Sequence, residues 1–127
     1  MKKEVFFTKK APQPKGAYSQ AVIHNGLLYI SGQVPIDPIT GDIFKGTIEE
    51  ETRLVLENIK AIVEGAGSEM GDVLNVTCYL ADIDEFKGFN RVYGEYFEKK
   101  PPARTTIQAG KLPLGVKIEI DAIAAIG

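Results

Sequence analysis

Asn25-Gly26, set between Ala21-Val22-Ile23-His24 and Leu27-Leu28-Tyr29-Ile30, constrains the fold of this chain more than any other pair of residues. A type I′ turn requires positive φ at both central positions, and Asn followed by Gly adopts that geometry with least strain. Two β-prone runs joined in this way fold back on each other as an antiparallel hairpin. The chain is thereby committed to a sheet, and the remaining segments decide what packs on it.

Residues 10–16 hold two prolines and a glycine and read as irregular, and residues 35–46, with Asp37-Pro38 and Thr40-Gly41-Asp42, read as a turn-rich loop. Thr47-Ile48-Glu49-Glu50 then has the form of a capping box, which predicts a helix running to about residue 64. Its apolar positions Val55, Ile59, Ile62, Val63 and Ala66 share one side, and Gly65 and Gly67 stop it. Residues 72–81 are rich in Val, Thr, Tyr and Leu and predict a strand, after which Asp82-Ile83-Asp84-Glu85 offers a second capped start. The second helix carries Phe86, Phe89, Tyr93, Tyr96 and Phe97 at helical spacing, ordinarily a core-facing stripe, and Pro101-Pro102 ends it. A strand around Arg104, a loop at 110–115 and a last strand from 116 to about 126 complete the chain. Strand pair, helix, strand, helix, strand, strand is the order of an α+β domain with both helices on one face of a sheet.

Parity along the last strand puts Val116, Ile118 and Ile120 on one face and Lys117, Glu119 and Asp121 on the other. The second face also carries Ile123 and Ala125, and two helices are too few to cover both sides. A further subunit is the usual cover for such a face, although an antiparallel sheet can also present one side to water.

The 127 residues form a single domain, 1–127, able to bury roughly two thirds of its unfolded surface without a disulfide or metal. A formal charge of −2 with both signs interspersed provides no basic stripe for phosphates or for an anionic membrane, so neither nucleic acid nor membrane is an expected partner. No apolar run approaches spanning length, and the short patch at Val5-Phe6-Phe7 is no signal-peptide core. The one cysteine, Cys78, sits among β-formers and reads as a buried apolar residue in a reducing compartment, the cytoplasm.

Two charged groups lie in segments that otherwise read as strands: Arg104, in Pro102-Ala103-Arg104-Thr105-Thr106, and Glu119, in Val116-Lys117-Ile118-Glu119-Ile120. A guanidinium grips a planar carboxylate through two parallel hydrogen bonds, and a carboxylate nearby can orient or deprotonate a water beside the gripped molecule. That pair suits hydrolysis of a small acid. On spacing alone the plainer reading holds, with Arg104 a surface ion-pair partner and Glu119 on a solvated face.

Gly16-Ala17-Tyr18-Ser19-Gln20-Ala21, Tyr29-Ile30-Ser31-Gly32-Gln33, Phe89-Asn90-Arg91-Val92-Tyr93, Pro102-Ala103-Arg104 and Ile118-Glu119-Ile120 together resemble the Rid family, the reactive intermediate deaminases also called YjgF-like proteins. The likeness spans nearly the whole chain, in order. It implies a chorismate-mutase-like α+β fold, a mixed sheet with two α-helices on one face, assembled as a homotrimer with a ligand cleft between subunits. It also implies hydrolysis of 2-enamino and 2-imino acids, such as 2-aminoacrylate, to 2-oxo acids and ammonia, with no cofactor and no metal. In that family pattern Arg104 holds the substrate carboxylate and Glu119 positions the attacking water, while Tyr18, Ser31, Gly32, Asn90 and Thr106 line the pocket.

Read without the resemblance, Tyr18 is an anchor for the N-terminal loop, Asn90 a helix-surface residue and Thr106 a β-former. Ala17 stands where the family usually has proline, which leaves the Tyr18 loop less pre-set, and Thr106 rules out an obligatory thiolate at its position. The simplest tertiary arrangement pairs the Arg104 and Glu119 strands as a local hairpin, placing both groups in one subunit. The resemblance implies instead that Arg104 meets Glu119 and Ser31 of a neighbour. A ribonuclease role fits poorly, since the single histidine, His24, lies beside a hairpin turn and no cationic track exists. A non-catalytic sensor or chaperone for 2-oxo acids is the alternative to an enzyme.

Overall fold

The computed structural model describes residues 2–127. Asn25 and Gly26 take φ of 52° and 75°, and the hairpin they close pairs β2 (Ala21–His24) with β3 (Leu27–Gln33), His24 opposite Leu27. Helix α1 (Ile48–Gly65) starts on the expected capping box: Thr47 Oγ1 accepts from Glu50 N–H at 3.1 Å, and Glu50 Oε1 accepts from Thr47 N–H at 2.9 Å. It ends on Gly67, whose φ of 85° lets Gly67 and Ser68 donate back to the carbonyls of Glu64 and Val63.

Strand β4 (Val73–Leu80) follows, and Asp82 caps a single 3₁₀ turn, Ile83–Glu85, that leads into α2 (Phe86–Tyr96). Helix α2 stops short of the prolines, because the chain leaves helical geometry at Phe97, whose buried ring closes the end of the core. The last strands are β5 (Ala103–Gln108) and β6 (Ile118–Ala125). A short strand at the amino end, Glu4–Phe6, pairs antiparallel with β2 and was not expected among its flanking lysines; it is β1.

All six strands form one mixed sheet in the order β1-β2-β3-β6-β4-β5, with β4 and β5 parallel and the other pairs antiparallel. The order corrects the local-hairpin expectation. Strand β4 separates β5 from β6, so the arginine and glutamate strands never touch. The cause is α2, which returns the chain over the sheet and delivers β5 parallel to the outer edge of β4, leaving the slot between β3 and β4 for β6. Strand β6 suits that central slot, alternating buried Ile118, Ile120, Ala122 and Ala124 with half-buried Glu119, Asp121, Ile123 and Ala125.

Both helices pack on one face. Their Val55, Leu56, Ile59, Ile62, Phe89 and Tyr93 close over Leu28, Val76, Cys78, Ile118 and Ile120 to form the core. Cys78 is fully buried there as an apolar residue, and burial pushes its thiol up to about 12. Among the described residues no helix covers the other face, where Val5, Val22, Tyr29 and Ile123 form a row across four strands and Tyr29 and Ile107 are 41% and 45% exposed.

Candidate functional site

The ladder between β3 and β6 is irregular between Ile30 and Gln33, and this break shapes the site by lifting Ser31 and Gly32 out of regular pairing. A Cβ built on Gly32 would lie 3.0 Å from Cδ of Glu119 and would overlap its Oε2, so the carboxylate occupies the space that glycine leaves open. Ser31 Oγ donates to the Ser19 carbonyl at 2.6 Å, tying β3 to the loop that carries Tyr18. Gln20 reinforces the same loop. Its side chain, 1% exposed, accepts from Thr8 N–H at 2.8 Å and donates to the Pro12 carbonyl at 2.9 Å. The Tyr18 loop is therefore held by side-chain hydrogen bonds where proline would otherwise restrict it.

Together these residues line a cleft of about 430 Å³ that includes Tyr18, Ser31, Gly32 and Glu119, with Val34, Pro113 and Leu114 as apolar walls. Burial, and after it the neighbouring charge of Asp121, raises the Glu119 carboxyl above the usual glutamate range. Asp121 in turn accepts a hydrogen bond from Tyr79 Oη at 3.2 Å. The cleft thus holds a carboxylate that takes up a proton more readily than a free glutamate, beside a wall tight enough to fix its position.

Arg104 is elsewhere. On β5 it stands opposite Val76 and Thr106 opposite Cys78, and both β4 partners are buried beneath the helices. Arg104 and Thr106 consequently face the helix side at the sheet edge, whereas Glu119 is on the uncovered side. Arg104 Nη1 donates to Asn90 Oδ1 of α2 at 2.8 Å, and its guanidinium lies 4.6 Å above the ring centre of Tyr93. The Thr106 hydroxyl is buried with no hydrogen-bond partner among the described residues. Two groups of expected residues therefore emerge within one chain: Tyr18, Ser31, Gly32 and Glu119 around the cleft, and Arg104, Asn90 and Thr106 at the β5 edge.

Sequence reasoning missed several residues that set this geometry. Glu51, 1% exposed, accepts from Lys117 N–H at 2.8 Å and from Gly46 N–H at 3.2 Å, which pins the entry to β6 two residues before Glu119. A glutamate in the first turn of an amphipathic helix reads as solvated, so no local signal marks it. Tyr93 and Asp121 were visible only as a core aromatic and as a polar residue of an alternating strand.

A sequence model of the family described as Endoribonuclease L-PSP matches residues 8–126. A RutC family protein of Pyrococcus horikoshii is 54% identical over 122 residues, covering 96% of this chain and 97% of that protein. The rat 2-iminobutanoate/2-iminopropanoate deaminase is 42% identical over 125 residues, covering 98% of this chain and 91% of that protein. The crystal structure of RidA from the Antarctic bacterium Psychrobacter sp. superposes with a TM-score of 0.92 at 38% identity, covering 97% of this chain and 99% of that one. With the mixed sheet, the two helices on one face and the glycine-backed glutamate in its cleft, these likenesses make the chain a member of the Rid, or YjgF-like, family.

Proposed function

We propose that the protein hydrolyses small 2-imino acids, formed by tautomerisation of 2-enamino acids such as 2-aminoacrylate, to 2-oxo acids and ammonia. The observation that carries this reading is the division of the site, with the water-handling carboxylate Glu119 in a cleft on one side of the sheet and the carboxylate-gripping Arg104 at its far edge. A site that needs both is completed between copies. The uncovered sheet face offers the surface for that assembly, and a homotrimer places the β5 edge of one subunit at the cleft of the next. The relative named as a 2-iminobutanoate/2-iminopropanoate deaminase supports the same chemistry.

In this reading the substrate carboxylate docks on Arg104 through two parallel hydrogen bonds, with Asn90 and Thr106 flanking the anchor. Glu119 accepts a proton from a water as the water oxygen bonds to the imine carbon, and passes that proton to the imine nitrogen. The resulting tetrahedral adduct collapses as Glu119 takes the proton of its hydroxyl and hands it to the amine, the C–N bond breaks, and ammonia leaves with the 2-oxo acid's carbonyl formed behind it. A carboxyl raised by burial is suited to both halves of that exchange. Such imines also hydrolyse unaided, so holding water and electrophile together supplies most of the acceleration. Tyr18 forms a wall of the pocket, and Ser31 keeps an acceptor free while its proton is committed to Ser19.

Ribonuclease chemistry is poorly served by the same cleft, since His24 lies outside it and Lys15 is the one cationic residue among the described residues that line it. No helix of the described residues is long and apolar enough to cross a membrane, and the unpaired, buried Cys78 suits the cytoplasm, where we place the protein. Following 2-oxo acid release from a serine or threonine dehydratase in real time, with and without this protein, tests the proposal. Faster release that disappears in Arg104→Ala is expected. An imine lifetime unchanged across a range of protein concentrations would replace the enzyme with a 2-oxo acid sensor.

A further inference from the structure

The aromatic stripe of α2 has a second role besides filling the core. Phe86, Phe89 and Tyr93 share one helix face at spacings of three and four residues, with successive ring centres 5.8 and 5.5 Å apart. The guanidinium carbon of Arg104 lies 5.6 Å from the ring centres of Phe86 and of Phe89 and 4.6 Å from that of Tyr93. All three distances are within the roughly 6 Å at which a ring face attracts a cation. Tyr93 is the nearest, and burial at 5% exposure fixes its ring in place. Its hydroxyl is buried without a hydrogen-bond partner among the described residues, so the ring, not the phenol, is what the arginine uses.

What does not touch Arg104 is equally informative. Among the described residues no carboxylate lies within ion-pair distance of it, although Arg53 and Arg91 each pair with a glutamate. A carboxylate partner would orient the guanidinium but would also neutralise it and occupy the donors a ligand needs. Ring faces and one amide oxygen orient it and leave its charge available. We infer that Tyr93, seconded by Phe86 and Phe89, is a positioning residue that fixes the plane of the Arg104 guanidinium in advance, so that the anchor binds a carboxylate without first being ordered. This rests on the reading of Arg104 as the carboxylate anchor. A lysine at this position would have no flat face to stack on the rings.

The test compares Tyr93→Leu, which removes the ring, with Tyr93→Phe, which keeps it, using 2-oxobutyrate binding by calorimetry and hydrolysis of dehydratase-generated 2-iminobutanoate. Tyr93→Leu is expected to raise Kd and KM roughly 3- to 10-fold with kcat within about twofold, and Tyr93→Phe to restore both. In labelled protein, the Arg104 Nε–H proton should be shifted upfield by the ring current in wild type and Tyr93→Phe, and should move back in Tyr93→Leu. Folded Tyr93→Leu that binds 2-oxobutyrate as wild type does, while Arg104→Ala has lost binding, overturns the inference alone. Undiminished binding in Arg104→Ala overturns the anchor reading and this inference with it. Should Tyr93→Leu fail to fold, half-buried Phe86 gives the milder variant Phe86→Leu, and an Arg104 proton with no upfield shift in wild type overturns the inference.

Discussion

Arg104 and Glu119 lie on opposite faces of one sheet, with β4 between them: Val76 stands beside the arginine and Tyr79 beside the glutamate. Two side chains so divided cannot reach one small molecule within a single chain. If both act on one imine, each site takes its arginine from one subunit and its glutamate from another. Inactive Arg104→Ala and Glu119→Gln variants should then complement each other when co-assembled, because a quarter of random pairings unite an intact arginine with an intact glutamate. An equimolar mixture assembled at random is expected to regain about a quarter of wild-type turnover. Light scattering should give a trimer mass, and a monomer mass at micromolar concentration would remove the shared site.

Placing a charge in the centre of the uncovered face provides the converse test. Ile123 lies in the row with Tyr29, Val22 and Val5, and Ile123→Asp puts a carboxylate where a subunit would have to pack. The variant should stay folded, since Ile123 is outside the helix-facing core, yet lose assembly and turnover together. An active monomer would show that one chain suffices.

Much of this was legible in the sequence, and the exceptions share a cause. The Asn25-Gly26 hairpin, the Thr47 capping box and the alternation of β6 follow from local geometry, and the structure reproduces each. The grouping of Tyr18, Ser31, Gly32 and Glu119 followed only from resemblance, since nothing local to Gly32 reveals that a glutamate far along the chain fills the space beside it. Strand order was illegible because a parallel β4–β5 pairing depends on where α2 sends the chain. The partners of Glu51 and Tyr93 were illegible because helical periodicity says which side a residue takes and nothing of what it meets there.

Arg104→Lys keeps the charge but loses the planar fork and the stacking face. Affinity for 2-oxobutyrate should fall by about 1.5–3 kcal/mol, the range for losing a charge-assisted contact. Turnover at saturating substrate should fall less than affinity, because Glu119, the proposed base, is untouched. Calorimetry and steady-state kinetics on the same preparation separate the two, and wild-type affinity in the lysine variant would show that charge alone suffices.

Glu119→Gln preserves shape and removes the proposed base, so 2-oxobutyrate should still bind while imine hydrolysis drops roughly 10²-fold or more. The raised folded-state pKa of Glu119 carries a second consequence with a definite sign. A carboxyl raised on folding contributes stability that is full below its unfolded pKa and lost as pH rises through the folded value. At neutral pH the ionised, half-buried Glu119 therefore opposes folding, and Glu119→Gln should raise Tm at pH 7, with the gain shrinking as pH falls below that raised value. The wild-type rate should fall on acidification at a pH above the ordinary glutamate value of about 4.3, and this limb should vanish with the residue. A lower Tm at pH 7 in Glu119→Gln would show that the carboxylate is a structural partner.

Gly32→Ala probes the position of the Glu119 carboxylate without changing its chemistry. The added methyl would meet the Glu119 carboxyl, with its Cβ 3.0 Å from Cδ and overlapping Oε2, so the side chain must swing away from its place in the cleft. Overpacking of this kind costs about 1–3 kcal/mol where the neighbour cannot move, and less where a glutamate can rotate out of the way. The structural penalty should accordingly be small and the kinetic one large, with hydrolysis approaching that of Glu119→Gln. The two changes should also fail to add, because a glutamate already displaced has little left to lose: the double variant Gly32→Ala/Glu119→Gln should be no slower than Glu119→Gln alone. Single-turnover hydrolysis across the four-member cycle, with Tm recorded for each protein, measures this coupling. Additive rate losses would mean that Gly32 serves the site through its backbone and not through the room it leaves for Glu119.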